Sequence, residues 1–303
     1  MVCRVMYYDS SLEDLQQEFH TGIVMGIYHK CFHLLLDDGR LITIFGVCEY
    51  QMPMAIRTNA LGEEPFSNLS LEEGQYVEWK DGIMSIPQAQ FTCHFGGRRI
   101  SLKRSALSKP KHIVEFQTAL LRWGKRNGEG RFLKVWCMHL MQNVGLPAEM
   151  KLLYQISMLM EAVQQGADAI WNVLMRTVGM GIGLTPSADD IICGLACAAW
   201  FYWPEKEKNT LLQTLSRFCV DEGPSRTTRV SCQQMMLTAQ GILSDPIFCV
   251  AQTISSEDGS QIDSLTSEIV RYGSSSGTEL CMGFLAGLYM AIGYSESERE
   301  SQW

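Results

Sequence analysis

The chain has 303 residues, of which 46% are hydrophobic and 19% charged, and this composition excludes a disordered or fibrous protein. Its formal net charge of -8 argues against DNA, RNA or an acidic membrane surface as a partner, because each of these is a polyanion. The first ten residues lack the apolar run of a signal peptide, and no later stretch is apolar over the length of a membrane span. We therefore expect a cytoplasmic protein with a large core and no membrane partner.

Residues 21–107 predict antiparallel β structure, because short β-rich runs alternate there with turn signals. A hairpin is expected around Asp37–Arg40, where Asp-Gly supplies the positive φ of a tight turn. Two more hairpins are expected around Lys80–Gly82 and around Gly96–Gly97. Three hairpins in a row predict a small antiparallel sheet or barrel.

The pattern changes near Ser108, after which apolar residues recur at helical spacing, as in EMKLLYQISMLMEAVQQ. The fold class is therefore predicted to be α+β. An antiparallel β-rich domain is expected over residues 1–108, and a mainly α-helical ligand-binding domain over residues 109–303. The eleven cysteines are scattered singly and are odd in number, which indicates reduced, mostly buried thiols.

The segment GMGIGLTPSADD, from Gly179 to Asp190, contains three alternate glycines and runs directly into an apolar helical stretch. Glycines let backbone amides approach a ligand, and the start of a helix leaves unpaired N–H donors at the positive end of the helix dipole. Such a place attracts phosphate or carboxylate. The segment lacks the Lys-Ser/Thr of a nucleotide P-loop, and a helical pattern precedes it where a P-loop follows a strand.

A similar segment, GSSSGTELCMG, begins at Gly273. Ser276 follows Ser187 by 89 residues, and the same offset relates Glu279 to Asp190 and Gly283 to Gly194. A serine followed three residues later by an acid predicts a capping box at each helix start. Small residues one turn apart also permit close helix contact. We therefore predict that the two helices pack with their N-termini converging on one ligand.

Between these segments lies PSRTTRVS, from Pro224 to Ser231, whose two arginines and four hydroxyls could clamp a carboxylate or phosphate. Arg226 and Arg229 are three residues apart and are expected on one helix face. Asp189, Asp190 and Arg226 are the predicted catalytic residues, with Asp189 polarising a water, a metal or an amide. The predicted substrate-binding residues are Gly181, Gly183, Thr185, Ser187, Thr227, Thr228, Arg229, Ser231, Ser275, Ser276, Gly277 and Glu279.

No metal or other cofactor is predicted, although Mg²⁺ at the paired acids Asp189 and Asp190 remains an alternative. Paired acids in a first helical turn also simply complement the helix dipole. His29, Cys31 and His33 alternate along a strand, which is more typical of a sheet face than of a metal site. No Ser-His-Asp, Cys-His or HExxH arrangement is present, so covalent catalysis is not predicted.

The three segments, in this order and after a β-rich region, resemble the signature segments of the AllH family of oxamate carbamoyltransferase subunits. The resemblance implies that oxalurate and phosphate are converted to oxamate and carbamoyl phosphate in anaerobic allantoin and purine catabolism. It also implies that the chain acts beside partner subunits. This chemistry suits an anion pocket, because oxalurate carries a carboxylate and phosphate is itself an anion.

The sequence departs from the family pattern at three positions. Ala188 stands where the pattern has glycine, and Ser274 and Glu279 stand where it tends to have histidine and aspartate. Two further possibilities therefore remain open. The chain could be a non-catalytic subunit that binds a small anion or serves assembly, or a structural protein whose glycines only allow close helix packing.

Overall fold

The computed structural model describes residues 1–47, 51–62 and 64–300, with side chains described as far as residue 294. The chain forms two compact units, Met1–Leu102 and Lys103–Trp303. The first unit is built of β-strands and the second is mostly helical, which confirms the predicted fold class. The domain boundary predicted at residue 108 lies a few residues beyond this division.

The strands of the first unit form one sheet that closes on itself. Strand β5 pairs with β4 in parallel and with β1 antiparallel, and this second pairing joins the two ends of an eight-stranded ring. Strand β9 is attached to the outside of this ring through β1. The described strands are β1 Val2–Asp9, β2 His20–Ile27, β3 Cys31–Leu36, β4 Leu41–Phe45, β5 Ala55–Thr58, β6 Tyr76–Lys80, β7 Ile83–Ile86, β8 Phe91–His94 and β9 Arg98–Ile100.

Alternation of buried and outward residues explains how these strands close around a core. In β3, the side chains of Phe32, Leu34 and Leu36 are buried, and the residues between them are only partly covered. The predicted hairpin around Asp37–Arg40 joins β3 to β4, and the one around Lys80–Gly82 joins β6 to β7. Both hairpin predictions are confirmed, and each turn contains a glycine at positive φ.

The third hairpin prediction, around Gly96–Gly97, is wrong. Strands β8 and β9 do not pair with each other but both run parallel to β1. Gly97 lies so close to the backbone of Val5 and Met6 that a Cβ there would overlap them, which lets β9 follow β1. Strand β1 was not predicted, because it precedes Thr21, where the predicted β structure begins.

The second unit contains eleven described α-helices. None of the described helices is both long enough and apolar enough to cross a membrane. The ten described cysteines of the chain are all free thiols, as predicted. The helices are α1 Ile113–Trp123, α2 Leu133–Gln142, α3 Lys151–Gln165, α4 Ala167–Thr177, α5 Ser187–Tyr202, α6 Glu205–Asp221, α7 Gly223–Arg226, α8 Arg229–Ala239, α9 Asp245–Ser255, α10 Ile262–Ile269 and α11 Ser276–Glu300.

Helices α5 and α11 form the centre of this unit and pack closely along their length. A Cβ on Gly194 would overlap the carbonyl oxygen of Leu280, and a Cβ on Gly283 would overlap that of Ile191. One turn further on, Gly287 lies directly against Ala198. Small residues therefore bring the two helix backbones together, as the spacing predicted.

Candidate functional site

The starts of α5 and α11 lie side by side. The hydroxyl oxygens of Thr185, just before α5, and Ser276, the first residue of α11, are 2.9 Å apart and share a hydrogen bond. Along the contact between α5 and α11, residue numbers increase in the same direction in both helices. The two helices therefore run parallel. The prediction that their N-termini converge is confirmed.

The glycine-rich loop folds back onto the start of α5. Gly179, Gly181 and Gly183 have φ values of +85°, +122° and +96°, a region that favours glycine. The Ala188 amide donates to the Met180 carbonyl at 2.9 Å, so this first-turn donor is already used. The tip of the loop projects into solvent, where Ile182 is 91% exposed.

Asp189 ties the loop to helix α8 and is fully buried. Its carboxylate accepts hydrogen bonds from the Gly179 amide at 2.8 Å, from the Ser231 hydroxyl at 2.6 Å and from the Thr227 hydroxyl. Burial raises the pKa of Asp189, while these three donors favour the charged form and oppose the rise. The residue therefore holds two of the three predicted segments together, which is a positioning role.

Asp190 is a titratable group with an unused carboxylate oxygen at the start of α5. Its side chain is buried, and its Oδ2 has no hydrogen-bond partner among the described residues. Burial raises the pKa of Asp190 to about 7, and the negative charges of Glu279 and Asp189 add to the rise. The hydroxyls of Ser276 and Thr185 oppose it. Asp190 can therefore hold or release a proton near neutral pH.

The predicted capping boxes are not formed. The N-cap position of α5 is Pro186, which places Ser187 inside the helix, and no side chain caps this end. In α11, the Glu279 carboxylate instead accepts from the Ser275 hydroxyl at 2.9 Å and from the Glu129 amide at 2.9 Å. The carboxylates of Asp190 and Glu279 therefore lie in the interior and do not form the predicted capping boxes.

The threonines of the RTTRVS segment bind the glycine loop. Thr228 is the N-cap of α8 and accepts from the Ser231 amide at 3.1 Å, while its hydroxyl donates to the Leu184 carbonyl. Together with the bonds of Thr227 and Ser231 to Asp189, this contact fixes the segment against the loop. The structure therefore brings these predicted residues together with the two helix starts.

The arginines of the same segment are placed differently from the prediction. Helix α7 ends at Arg226 and a separate helix begins at Arg229, so the two do not share one helix face. Arg226 donates to the Met175 carbonyl at 2.8 Å and lies 3.5 Å from Glu222, and Arg229 is exposed. Charge neutralisation by either arginine remains a prediction.

The predicted glycines also differ in their surroundings. A Cβ on Gly277 would overlap the Ile269 carbonyl, so this glycine serves close packing of α11 against the end of α10. Gly183 meets only open space and leaves the loop accessible. Gly277 is therefore a packing residue in this structure, whereas Gly183 remains available to a ligand.

The segment Lys125–Glu129 also belongs to the site, although it was not predicted from the sequence. The Lys125 amide donates to the Thr278 hydroxyl at 3.0 Å, and the Asn127 side chain donates to the Ser274 carbonyl at 2.9 Å. Glu129 Oε2 is buried without a partner among the described residues. Burial raises the pKa of Glu129, Arg131 lowers it, and the charge of Glu279 raises it further. The glycines of RNGEGRF are its only sequence signal.

Among the described residues, one group of three side chains has the spacing of metal ligands. Asp14, Glu18 and His20 place ligand atoms near one another, but both carboxylate oxygens of Asp14 already bind the Arg40 guanidinium, at 2.9 and 2.5 Å. Of the two paired acids at the start of α5, Asp189 has its oxygens occupied by three donors, and Asp190 keeps a free carboxylate oxygen. Mg²⁺ binding by these two acids stays the alternative to a site without metal.

The structure thus defines a two-part α+β protein whose helical part holds a buried carboxylic acid between two parallel helix starts. The chain belongs to the AllH family. The family described as oxamate carbamoyltransferase subunit AllH matches residues 177–288, and the AllH family N-terminal domain matches residues 4–105. The first match contains all three segments singled out in the sequence. No solved structure significantly matches the chain.

Proposed function

We propose that the chain is the subunit of an oxamate carbamoyltransferase that takes part in converting oxalurate and phosphate to oxamate and carbamoyl phosphate. The family membership supports the enzyme class. One observation carries the mechanistic part of the proposal: Asp190 is buried between two helix starts, has an unpartnered oxygen, and has a pKa of about 7. Asp190 replaces Asp189 as the principal catalytic candidate, since Asp189 is fully engaged.

The reaction needs a group that moves one proton. A phosphate oxygen attacks the carbamoyl carbon of oxalurate, and the bond from that carbon to the oxamate nitrogen breaks. Monohydrogen phosphate loses its proton, and the departing nitrogen gains one, so the overall equation balances without another reactant. A carboxyl group with a pKa near the working pH can accept the first proton and deliver the second.

Anion binding would rely on the parts of the loop that remain free. The tip from Gly181 to Leu184 is exposed, and the backbone amides at Gly181–Gly183 have no partner among the described residues. The hydroxyls of Thr185 and Ser276 stand between this tip and Asp190. We propose that these amides and hydroxyls hold the carboxylate of oxalurate or the phosphate.

The cellular setting is part of the same proposal. Oxalurate phosphorolysis would place the chain in anaerobic allantoin and purine catabolism, in the cytoplasm, beside partner subunits. The word subunit in the family's description supports the last point.

A second candidate function is a non-catalytic subunit that binds a small anion or serves assembly. The engaged donors at the site favour it. The Ala188 amide binds Met180, the Gly277 amide binds the Tyr272 carbonyl, and Arg226 binds Met175. In this case the exposed, apolar Ile182 at the loop tip would meet a partner chain.

One experiment separates the two candidates. Carbamoyl phosphate formation from oxalurate and phosphate is measured for the chain alone, for the chain with its partner subunits, and for the same complex carrying Asp190→Asn. Catalysis by this site predicts that the complex is active and that the variant complex assembles but loses activity. An Asp190→Asn complex with full activity would leave only the assembly role.

A further inference from the structure

A cavity lies in the helical unit, at the end of the α3–α4 hairpin. Gly166 joins the two helices at positive φ, so the start of α3 lies beside the end of α4. The cavity has a volume of about 530 Å³, which falls in the range of pockets for small organic ligands. It is lined by Leu146, Pro147, Ala148, Lys151, Tyr154, Gln155, Arg176 and Met180.

The lining carries positive charge and no negative charge. Lys151 and Arg176 are its two ionisable cations, and neither makes an ion pair or a hydrogen bond within the described part of the chain. Elsewhere, cations of this protein are commonly paired, as Arg104 is with Asp245 and Arg122 with Asp263. Two unpaired cations around one cavity, in a chain of net charge -8, favour an anionic occupant.

The remaining lining favours an occupant with a flat organic body. Leu146, Pro147, Ala148 and Met180 offer apolar surface, and Tyr154, whose ring adds to it, is 53% exposed. The side-chain oxygen of Gln155 is buried without a hydrogen-bond partner among the described residues. An unsatisfied amide oxygen in a cavity wall favours a ligand that carries an N–H donor.

We propose that this cavity binds a small organic anion, whose phosphate or carboxylate contacts Lys151 and Arg176 and whose planar body packs on Tyr154. A nucleoside monophosphate and an aromatic carboxylate share this chemistry. The site is separate from Asp190, so the inference does not depend on the proposed reaction. Met180 joins the two places, because it lines the cavity and its carbonyl accepts from the Ala188 amide at the start of α5.

The test uses four probes on the full chain: AMP, 4-aminobenzoate, adenosine and inorganic phosphate. Adenosine lacks the charge, and phosphate lacks the planar body. Binding is measured by calorimetry and by the NMR signal of the ¹³C-labelled Met180 methyl group. We expect AMP or 4-aminobenzoate to bind and to shift the Met180 signal, with adenosine and phosphate each at least about tenfold weaker. The anion that binds more tightly shows whether the charged group of the ligand is a phosphate or a carboxylate.

Three variants locate the site. Lys151→Gln and Arg176→Gln should each weaken binding about tenfold, because each removes one charge-assisted contact. Lys134→Gln is the matched control, since Lys134 is exposed on α2 and does not line the cavity. Melting temperatures show that each variant is folded. Absence of binding by AMP and 4-aminobenzoate at millimolar concentration, equal binding of adenosine, or unchanged binding in both cavity variants would overturn the proposal.

Discussion

Thr185 and Ser276 are 91 residues apart in the chain, yet their hydroxyl groups share a hydrogen bond of 2.9 Å at the starts of two parallel helices. Both hydroxyls also stabilise the charged form of Asp190, which lies behind them. The pair therefore couples the geometry of the two helix starts to the titration of one buried acid. The following predictions test this relationship from several sides.

Removing either hydroxyl should raise the pKa of Asp190 further. Ser276→Ala or Thr185→Val deletes a donor that lowers this pKa, and we expect the titration midpoint of Asp190 to move upward. The titration is followed through the ¹³C signal of the Asp190 carboxyl group. Ser274→Ala is the control, since Ser274 is exposed and its backbone carbonyl, which the variant keeps, is the group that accepts from Asn127. An unchanged midpoint in Ser276→Ala and Thr185→Val would disprove the coupling.

Asp190 should also make stability depend on pH. Its pKa rises from 3.8 to about 7 on folding, so the folded chain keeps a proton that the unfolded chain has lost. This contribution to stability is fully present below pH 3.8 and is lost as the pH rises to about 7. Asp190→Asn cannot ionise, and it should therefore gain on the order of 2 to 4 kcal/mol relative to the wild type between pH 5 and pH 8.

Urea unfolding of both proteins at several pH values measures this difference. The comparison within each pH removes the contribution of all other ionisable groups. A stability difference that stays constant from pH 4 to pH 8 would mean that Asp190 keeps an ordinary pKa.

Asp189 should behave as a structural residue. Asp189→Ala leaves the Gly179 amide and the Thr227 and Ser231 hydroxyls without their acceptor, so we expect a loss of about 3 kcal/mol in unfolding free energy. Asp168→Ala is the control, because Asp168 is exposed in the first turn of α4 and should cost at most about 1 kcal/mol. Similar losses for the two variants would contradict this role.

Close packing of α5 on α11 should tolerate no added methyl group at the contact. Gly194→Ala or Gly283→Ala would place Cβ against a backbone carbonyl that cannot move freely, and should destabilise the protein by about 3 kcal/mol or more. Gly293→Ala, in the same helix α11 but with open space around it, should instead stabilise by about 0.5 to 1 kcal/mol.

Thermal unfolding of the three glycine variants provides the measurement. The pattern distinguishes steric overlap from helix propensity, since propensity alone would stabilise all three. A Gly194→Ala or Gly283→Ala protein as stable as the wild type would mean that α5 and α11 are further apart at these glycines than in this structure.

Local signals predicted much of this architecture. Asp-Gly turns located two hairpins, and the shared offset of Ser187, Gly194, Ser276 and Gly283 predicted two equivalent, closely packed helices. These features depend on residues near one another or on a repeated pattern. A sequence can show them because the physical requirement recurs at fixed spacing.

Features that depend on distant pairing were not predictable. Strand β9 pairs with β1, and Gly97 allows this pairing because it lies close to the backbone of Val5. These two residues are far apart in the sequence. The Ser-to-acid spacing of Ser187 and Asp190 suggested a capping box, but Pro186 starts the helix one residue early. Hydrogen bonding then distinguishes the two adjacent buried acids. Both oxygens of Asp189 accept hydrogen bonds, whereas Asp190 keeps one oxygen without a partner.

The pH dependence of carbamoyl phosphate formation by the assembled complex tests the central claim most directly. With the wild-type chain, the rate from oxalurate and phosphate should change with an inflection near pH 7, the pKa of Asp190. In the Asp190→Asn complex, the rate should fall on the order of 100-fold and lose that inflection. An Asp190→Asn complex that keeps both the wild-type rate and the wild-type pH profile would contradict the account.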